Sequence, residues 1–238
     1  MFILEGNIGS GKSTFLRLIE KHLPYLETQQ EPVVEVFQKK IGGTSLLQQF
    51  YSDTKRWSFT FENFAMACRT RTHMRDQEND NPFRIIERSV YSGHYCFAVN
   101  GKEQGFMSAM EWSIHLGWFN LLIRDRCKAP RGFIYLRTQP EVAYRRTLIR
   151  SRKEEEQQMH DYLKQIHIKH EQMLVDKTDL LPSLAKTPVL VLDANTDFES
   201  DPKRLRFLLD QIQDFVHKHA GSPHAAAMAS TQMISTEL

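Results

Sequence analysis

Cysteine is scarce: the 238 residues hold three, Cys68, Cys96 and Cys127. An odd, sparse set without metal-ligand spacing excludes a disulfide-stapled scaffold and a structural zinc site, and it fits a reducing compartment, so all three read as core residues. Long apolar runs are missing as well. The longest, such as Val189 to Leu192, fall far short of the roughly 18 residues that a spanning helix needs. Charge of one sign is not in excess either. Lys plus Arg number 31 against 29 for Asp plus Glu, a net charge of +2, which is too little for a general nucleic-acid surface, so an anionic ligand must be met locally. No repeat is visible, and no leader precedes the first apolar run, which points to the cytoplasm, with the nucleus also open.

What is present alternates. Short apolar runs at Phe2 to Leu4, Arg84 to Glu87, Gly132 to Leu136 and Pro188 to Leu192 are separated by long stretches with helical periodicity. Strands alternating with helices predict an α/β fold, a parallel sheet of about five strands with helices on both faces. Two regions break the pattern. Arg145 to Glu156 is a block of basic then acidic residues without an apolar face, expected to be exposed and mobile. Beyond the amphipathic helix predicted at Pro202 to His219 the chain turns small and polar, so residues 220–238 are expected to be a poorly ordered tail.

Gly6-Asn7-Ile8-Gly9-Ser10-Gly11-Lys12-Ser13 matches the phosphate-loop pattern G-x-x-x-x-G-K-[ST], between an apolar strand and a helical stretch, Thr14 to His22. Glycines let successive N–H groups turn inward as an anion cradle, the helix N-terminus adds its dipole, Lys12 reaches the β- and γ-phosphates, and Ser13 holds magnesium. The loop alone leaves water, a protein or a small hydroxyl as acceptor. A second apolar stretch, Thr28 to Val34, contains Glu31-Pro32-Val33 and sets a carboxylate near a strand's carboxyl end, where open α/β sheets bind ligands. Read alone, Glu31 is either an acceptor of a hydroxyl proton or a surface glutamate before a turn. Glu87-Arg88-Ser89 sits at another strand end and is either reactive machinery or a structural ion pair.

Taken in order, LEGNIGSGKST, EPV, RWSFTFE, ERSVYS, RSRKEEE and LDANTDF resemble the deoxyribonucleoside kinase family, with its deoxycytidine, deoxyguanosine and multisubstrate members. The resemblance spans about residues 1–217. It implies a P-loop kinase fold with an arginine-rich lid at about 145–157, a kinase domain over 1–219, and transfer of the γ-phosphate of ATP, with Mg2+, to the 5′-hydroxyl of a deoxynucleoside. It implies that Glu31 is the general base, that Arg88 positions the hydroxyl and the transferring group, and that Glu87 joins Ser13 at magnesium. The phosphate loop, Gly6 to Thr14, with Arg146, Arg150 and Arg152 of the lid, would hold the ATP phosphates, and Asp197 and Phe198 would frame its base. Tyr51 and Glu155 would bind the deoxyribose 3′-hydroxyl, and Phe61 and Phe97 would flank the base. A homodimer through the helices at Ser89 to Val99 and Ser108 to Arg126 is also implied.

The chain departs from the family at the base edge. Where the family has a glutamine this chain has Glu62, which when ionised only accepts hydrogen bonds. It could then accept from thymine N3–H, from cytosine N4 or from guanine N1–H and N2 together, and Asn63 would replace it if the alignment slipped by one. Arg69 matches a family arginine whose aspartate partner is here Gly93, a loss of bulk expected to leave room for a thymine methyl group. Val36 stands where cellular members have tryptophan. Thymidine and deoxycytidine are therefore the expected substrates, with deoxyguanosine open. The rivals are a nucleoside monophosphate kinase, which would need an early arginine where EPV presents a carboxylate, and a nucleotide-dependent switch or inactive regulatory subunit. The nearest string to a guanine-reading N-K-x-D is Asn195-Thr196-Asp197.

Overall fold

Every residue of β1 (Phe2–Glu5) is buried, because strands pair on both of its edges and helices cover both of its faces. In this computed structural model, which describes residues 1–31, 37–150 and 156–220, β1 leads through the phosphate loop into α1 (Lys12–His22) and β2 (Glu27–Gln29). A small antiparallel hairpin, β3 (Lys40–Ile41) and β4 (Thr44–Ser45), precedes α2 (Leu46–Ser52) and the long α3 (Thr54–Gln77). Next come β5 (Arg84–Glu87) and α4 (Val90–Ser92), which continues through a wider π-helical stretch, Gly93–Ala98, into α5 (Val99–Glu103). α6 (Ala109–Phe119) also ends in a π stretch, Asn120–Arg124. β6 (Phe133–Arg137), α7 (Pro140–Arg150), α8 (Glu156–Glu171) with a π stretch at Gln172–Asp176, the short α9 (Pro182–Ala185), β7 (Val189–Asp193) and α10 (Pro202–Ala220) complete the order.

The five main strands form one parallel sheet in the order β2-β5-β1-β6-β7. This is the P-loop kinase arrangement that the sequence predicts. Side chains alternate across it. Phe2 and Leu4 point into a core with Phe15, Leu16 and Ile19 of α1 and Leu208 and Ile212 of α10, while Ile3 joins Ile86, Tyr135, Met66, Phe119 and Ile166 on the other face. Each such side chain, fully removed from water, contributes about 1.5–3 kcal/mol before entropy is counted. Connections run over both faces, so the carboxyl ends of β1, β2 and β5 share one rim. The chain diverges at β1, with β5 on one side and β6 on the other, which is where such sheets form a ligand crevice.

Several expectations shift. β2 stops at Gln29, short of the predicted Thr28 to Val34, because the Glu31 N–H leaves the ladder and donates to Glu87 Oε2 at 3.4 Å. α1 begins at Lys12 rather than Thr14, since Gly11 (φ 93°) turns left-handed and its carbonyl takes the Phe15 N–H. α3 is longer than the aromatic stretch from Trp57 to Arg71 suggests, because Asp53 caps it by accepting from the Arg56 N–H at 3.0 Å. The helix predicted at Ser89 to Val99 is interrupted by its π stretch, a bulge that frequently accompanies functional sites. Of the three free cysteines only Cys96 is core; Cys68 and Cys127 are half-buried. Among the described residues no helix is long and apolar enough to cross a membrane. The predicted tail beyond Ala220, Val36, most of the block from Arg150 to Glu156, and with it the lid calls on the Arg150 side chain, Arg152 and Glu155, lie outside the described residues.

Candidate active site

The phosphate loop is held from behind on three sides. Asn7 donates through Nδ2 to Leu163 O of α8 at 2.8 Å and accepts the Ile8 N–H at 2.8 Å. Gly9 (φ 77°) lies so close to α7 that a Cβ there would fall 2.4 Å from Ala143 O and 2.5 Å from Thr147 Oγ1. Only glycine fits both that dihedral and that gap. Arg146 bridges from α7 to Ser10 O at 3.3 Å and Thr196 O at 3.2 Å. Phe198 is buried against Phe15, with ring centroids 5.2 Å apart, and its Cζ would meet a Cβ on Gly11 at 3.0 Å. It therefore braces the loop from below and offers no open face to a nucleotide base. Asp197 is exposed, and its carboxylate accepts from the Glu199 N–H and from Ser200 in a local turn. Thr14, in the first turn of α1, accepts from Arg17 Nη2 at 3.3 Å.

Lys12 is folded back on the loop, its Nζ donating to Asn7 O at 2.8 Å and Gly6 O at 3.1 Å. Burial, followed by the nearby Arg88 charge, lowers its pKa to about 7 despite Glu87, Glu31 and Glu5. A polyphosphate beside Nζ would restore the ordinary value. Nucleotide binding above about pH 7 is accordingly expected to take up a proton at Lys12, and ATP affinity to fall as pH rises through that point. Calorimetry in two buffers of unlike ionisation enthalpy reads this directly; equal heats in both would contradict it.

Across the loop, Ser13 Oγ donates at 3.1 Å to both oxygens of Glu87. A hydroxyl and a carboxylate held side by side are hard oxygen donors, and so small a protein share suits Mg2+, which keeps waters and phosphate oxygens as its other ligands. No cluster of three or more His, Cys, Asp or Glu exists among the described residues.

Next to this pair, Glu31 is clamped by two guanidinium groups. Arg69 reaches Oε1 through Nε and Nη2, both at 2.8 Å, and Arg88 Nε lies 3.4 Å from Oε2. Burial pushes the Glu31 carboxyl up, but Arg69 and Arg88 outweigh it and hold the pKa below the usual carboxylate range, so Glu31 is ionised at neutral pH. Arg88 has φ 63°, an uncommon conformation for a residue with a Cβ, and its N–H bonds Leu4 O at 2.9 Å. Such strain persists only where surrounding structure enforces it, and it concentrates at functional sites. The fork faces the ring of Phe97, 4.8 Å from its centroid, and Nη1 is buried without a partner among the described residues. Beneath it Glu5, wholly buried and with its pKa raised by burial, accepts from Ser89 Oγ.

One cavity of about 400 Å³ joins all of this. Lys12, Ser13, Glu87, Glu31 and Arg88 line it, and so do Tyr51, Phe61, Glu62, Arg69, Phe97 and Tyr162. Phe61 stacks on Phe50 at 4.7 Å and leans on Phe37 at 5.3 Å. Glu62 lines the cavity, whereas Asn63 Nδ2 donates to Phe59 O of its own helix at 2.7 Å. The room expected at Gly93 is taken: a Cβ there would lie 2.8 Å from Arg69 Nη1. Arg69 instead contacts Glu31 and occupies the space beside the glycine. Sequence reasoning missed Tyr162, Phe37 and Phe50 as cavity lining, because each sits at an apolar position that reads as core.

Comparison with known proteins agrees with this geometry. The Deoxynucleoside kinase family matches residues 2–217. Deoxycytidine kinase 2 of Gallus gallus is 36% identical over 235 residues, covering 90% of this chain and 89% of that protein. The mitochondrial deoxyguanosine kinase of Xenopus laevis is 35% identical over 237 residues, with 90% and 88% covered. Deoxycytidine kinase of Homo sapiens is 31% identical over 235 residues, with 90% and 89% covered. With a phosphate loop, a clamped carboxylate and an aromatic slot opening on one cavity, and with likeness running over nearly its whole length, the chain belongs to the deoxynucleoside kinase family of phosphotransferases.

Proposed function

We propose that this enzyme transfers the γ-phosphate of ATP, with Mg2+, to the 5′-hydroxyl of 2′-deoxynucleosides, thymidine and deoxycytidine foremost with deoxyguanosine open, in the salvage of DNA precursors. The observation that carries the reading is Glu31: an ionised carboxylate on the wall that the phosphate loop and the aromatic slot share. A nucleoside stacked between Phe61 and Phe97 directs its 5′-hydroxyl at Glu31, which orients the alcohol and accepts its proton as the phosphoryl group leaves ATP. Arg88, rigidly placed, donates to the transferring group, and Lys12 turns from the loop carbonyls to the β- and γ-phosphates. Ser13 and Glu87 would hold Mg2+, which supplies charge neutralisation between the phosphates. Arg146, Arg150 and Arg152 are assigned to the closing lid, Asp197 to the surround of the ATP base, and Tyr51 with Glu155 to the 3′-hydroxyl. A monophosphate acceptor is disfavoured, because Glu31 and Glu87, beside the phosphate loop, would face its phosphate.

The test is a panel of the four deoxynucleosides and their 5′-monophosphates with ATP and Mg2+, scored for product. Nucleosides are expected to be phosphorylated and monophosphates not; the reverse would establish the monophosphate kinase alternative, and slow hydrolysis without any acceptor the regulatory one.

We further propose a homodimer, with residues 1–219 of each chain as one kinase domain. Met110, Ile114, Trp118 and Leu121 are exposed along one stripe of α6 and its π extension, and exposed Phe64 lies on α3, against which α6 packs. An apolar face of this kind calls for cover, and a second copy presents the same face in return. Trp118→Glu is expected to give a monomer by light scattering with the fold retained; an unchanged mass would contradict the seam. Three free cysteines support a reducing compartment such as the cytoplasm.

A further inference from the structure

Glu62 is the residue of the cavity whose chemistry the reaction leaves unused. It sits on α3, only 4% exposed, and lines the same cavity as Phe61 and Phe97. Its natural counter-ion is already committed: Arg69 spends Nε and Nη2 on Glu31, and its Nη1 lies over Gly93. From the segments that follow β5 and β2 the groups acting on it are Arg88 and Glu31. The phenol of Tyr162 on α8 is coupled to it, and Tyr51 of α2, Lys12 and Glu87 lie along the same cavity.

Resting on the deoxynucleoside kinase reading above, we infer that Glu62 selects the base by its own protonation state: the carboxylate takes guanine, the neutral acid takes cytosine or thymine. The hydrogen-bond inventory requires this. A carboxylate offers two acceptors, which match the adjacent N1–H and N2–H donors of guanine but set an oxygen against cytosine N3 or thymine O4. A neutral carboxyl offers one acceptor and one donor, which pair with cytosine N4–H and N3 or with thymine N3–H and O4. A buried polar edge left unmatched is strongly rejected, so each form discriminates against the other's base. Burial raises the Glu62 pKa to about 7, against the opposing pull of Arg69 and then Arg88, so both forms are populated near neutral pH.

The experiment compares kcat/KM for deoxyguanosine and deoxycytidine from about pH 6 to pH 8, where neither base titrates. The ratio is read because titration of Lys12 or Glu31 alters both substrates alike. With one proton separating the two forms, the deoxyguanosine to deoxycytidine ratio rises by up to about tenfold per pH unit. In Glu62→Gln, whose amide is a donor and an acceptor at every pH, the ratio is flat and favours deoxycytidine. Calorimetry on the unaltered enzyme gives a second reading: proton release with deoxyguanosine and uptake with deoxycytidine differ by about one proton. A flat ratio in the unaltered enzyme, the same slope in Glu62→Gln, equal proton counts, or phosphorylation of deoxycytidine but never deoxyguanosine would each overturn the inference. Failure to phosphorylate any nucleoside would instead overturn the kinase reading on which it rests.

Discussion

Glu31→Gln is expected to lower kcat by about 10²–10⁴, the usual worth of a positioned acid–base group, while the KM for nucleoside changes little. Glutamine keeps the shape and one acceptor oxygen, so it can still align the alcohol, but it cannot take the proton. The structure adds a second consequence. Arg69 would lose the anion that both its Nε and Nη2 contact, and Glu62 is the next carboxylate acting on it. Removing one partner of a buried pair costs about 3–5 kcal/mol when nothing replaces it; here the retained oxygen and Glu62 soften that cost. Thermal unfolding alongside steady-state kinetics separates the two effects: a large kcat loss with a modest drop in Tm is the expected result, and near-normal turnover would remove Glu31 as the base.

Lys12→Met is expected to reduce kcat by about 10²–10³ and to raise the KM for ATP, because a preorganised cation at the transferring phosphate is lost. Its effect on stability is expected to be smaller than that of a typical core change. The ammonium is buried and its pKa is lowered to about 7, so an apolar side chain of similar length removes a desolvated charge. It also strips the donor from Gly6 O and Asn7 O, and the two effects oppose each other. Kinetics and a melting curve on the same preparation check both halves, and wild-type turnover would contradict the role given to Lys12.

The parts legible in the sequence were those that depend on local rules. The phosphate loop declares itself through glycine spacing and a flanking strand and helix, and the apolar runs mark β1, β5, β6 and β7 to within a residue or two. The rest depends on distant partners. Nothing near Glu31 announces that Arg69, 38 residues later, clamps it. Nothing near Gly93 tells that an arginine from another helix fills its empty side. β2 ends early because of Glu87, a residue on the neighbouring strand. Phe198 matches a nucleotide-framing motif, yet packing against Phe15 turns it inward. Glu62 reads in the sequence as a change of hydrogen-bonding type, whereas the burial that raises its pKa is visible only in the fold.

The most direct test of the account is a crystal structure of the enzyme with a deoxynucleoside and a non-hydrolysable ATP analogue. The predicted result is the 5′-oxygen within about 2.6–3.2 Å of a Glu31 carboxylate oxygen, on the side facing the γ-phosphate, with Lys12 moved onto the phosphates. A 5′-oxygen out of reach of Glu31, with that carboxylate still enclosed by Arg69 and Arg88 and turned from the nucleotide, would contradict it.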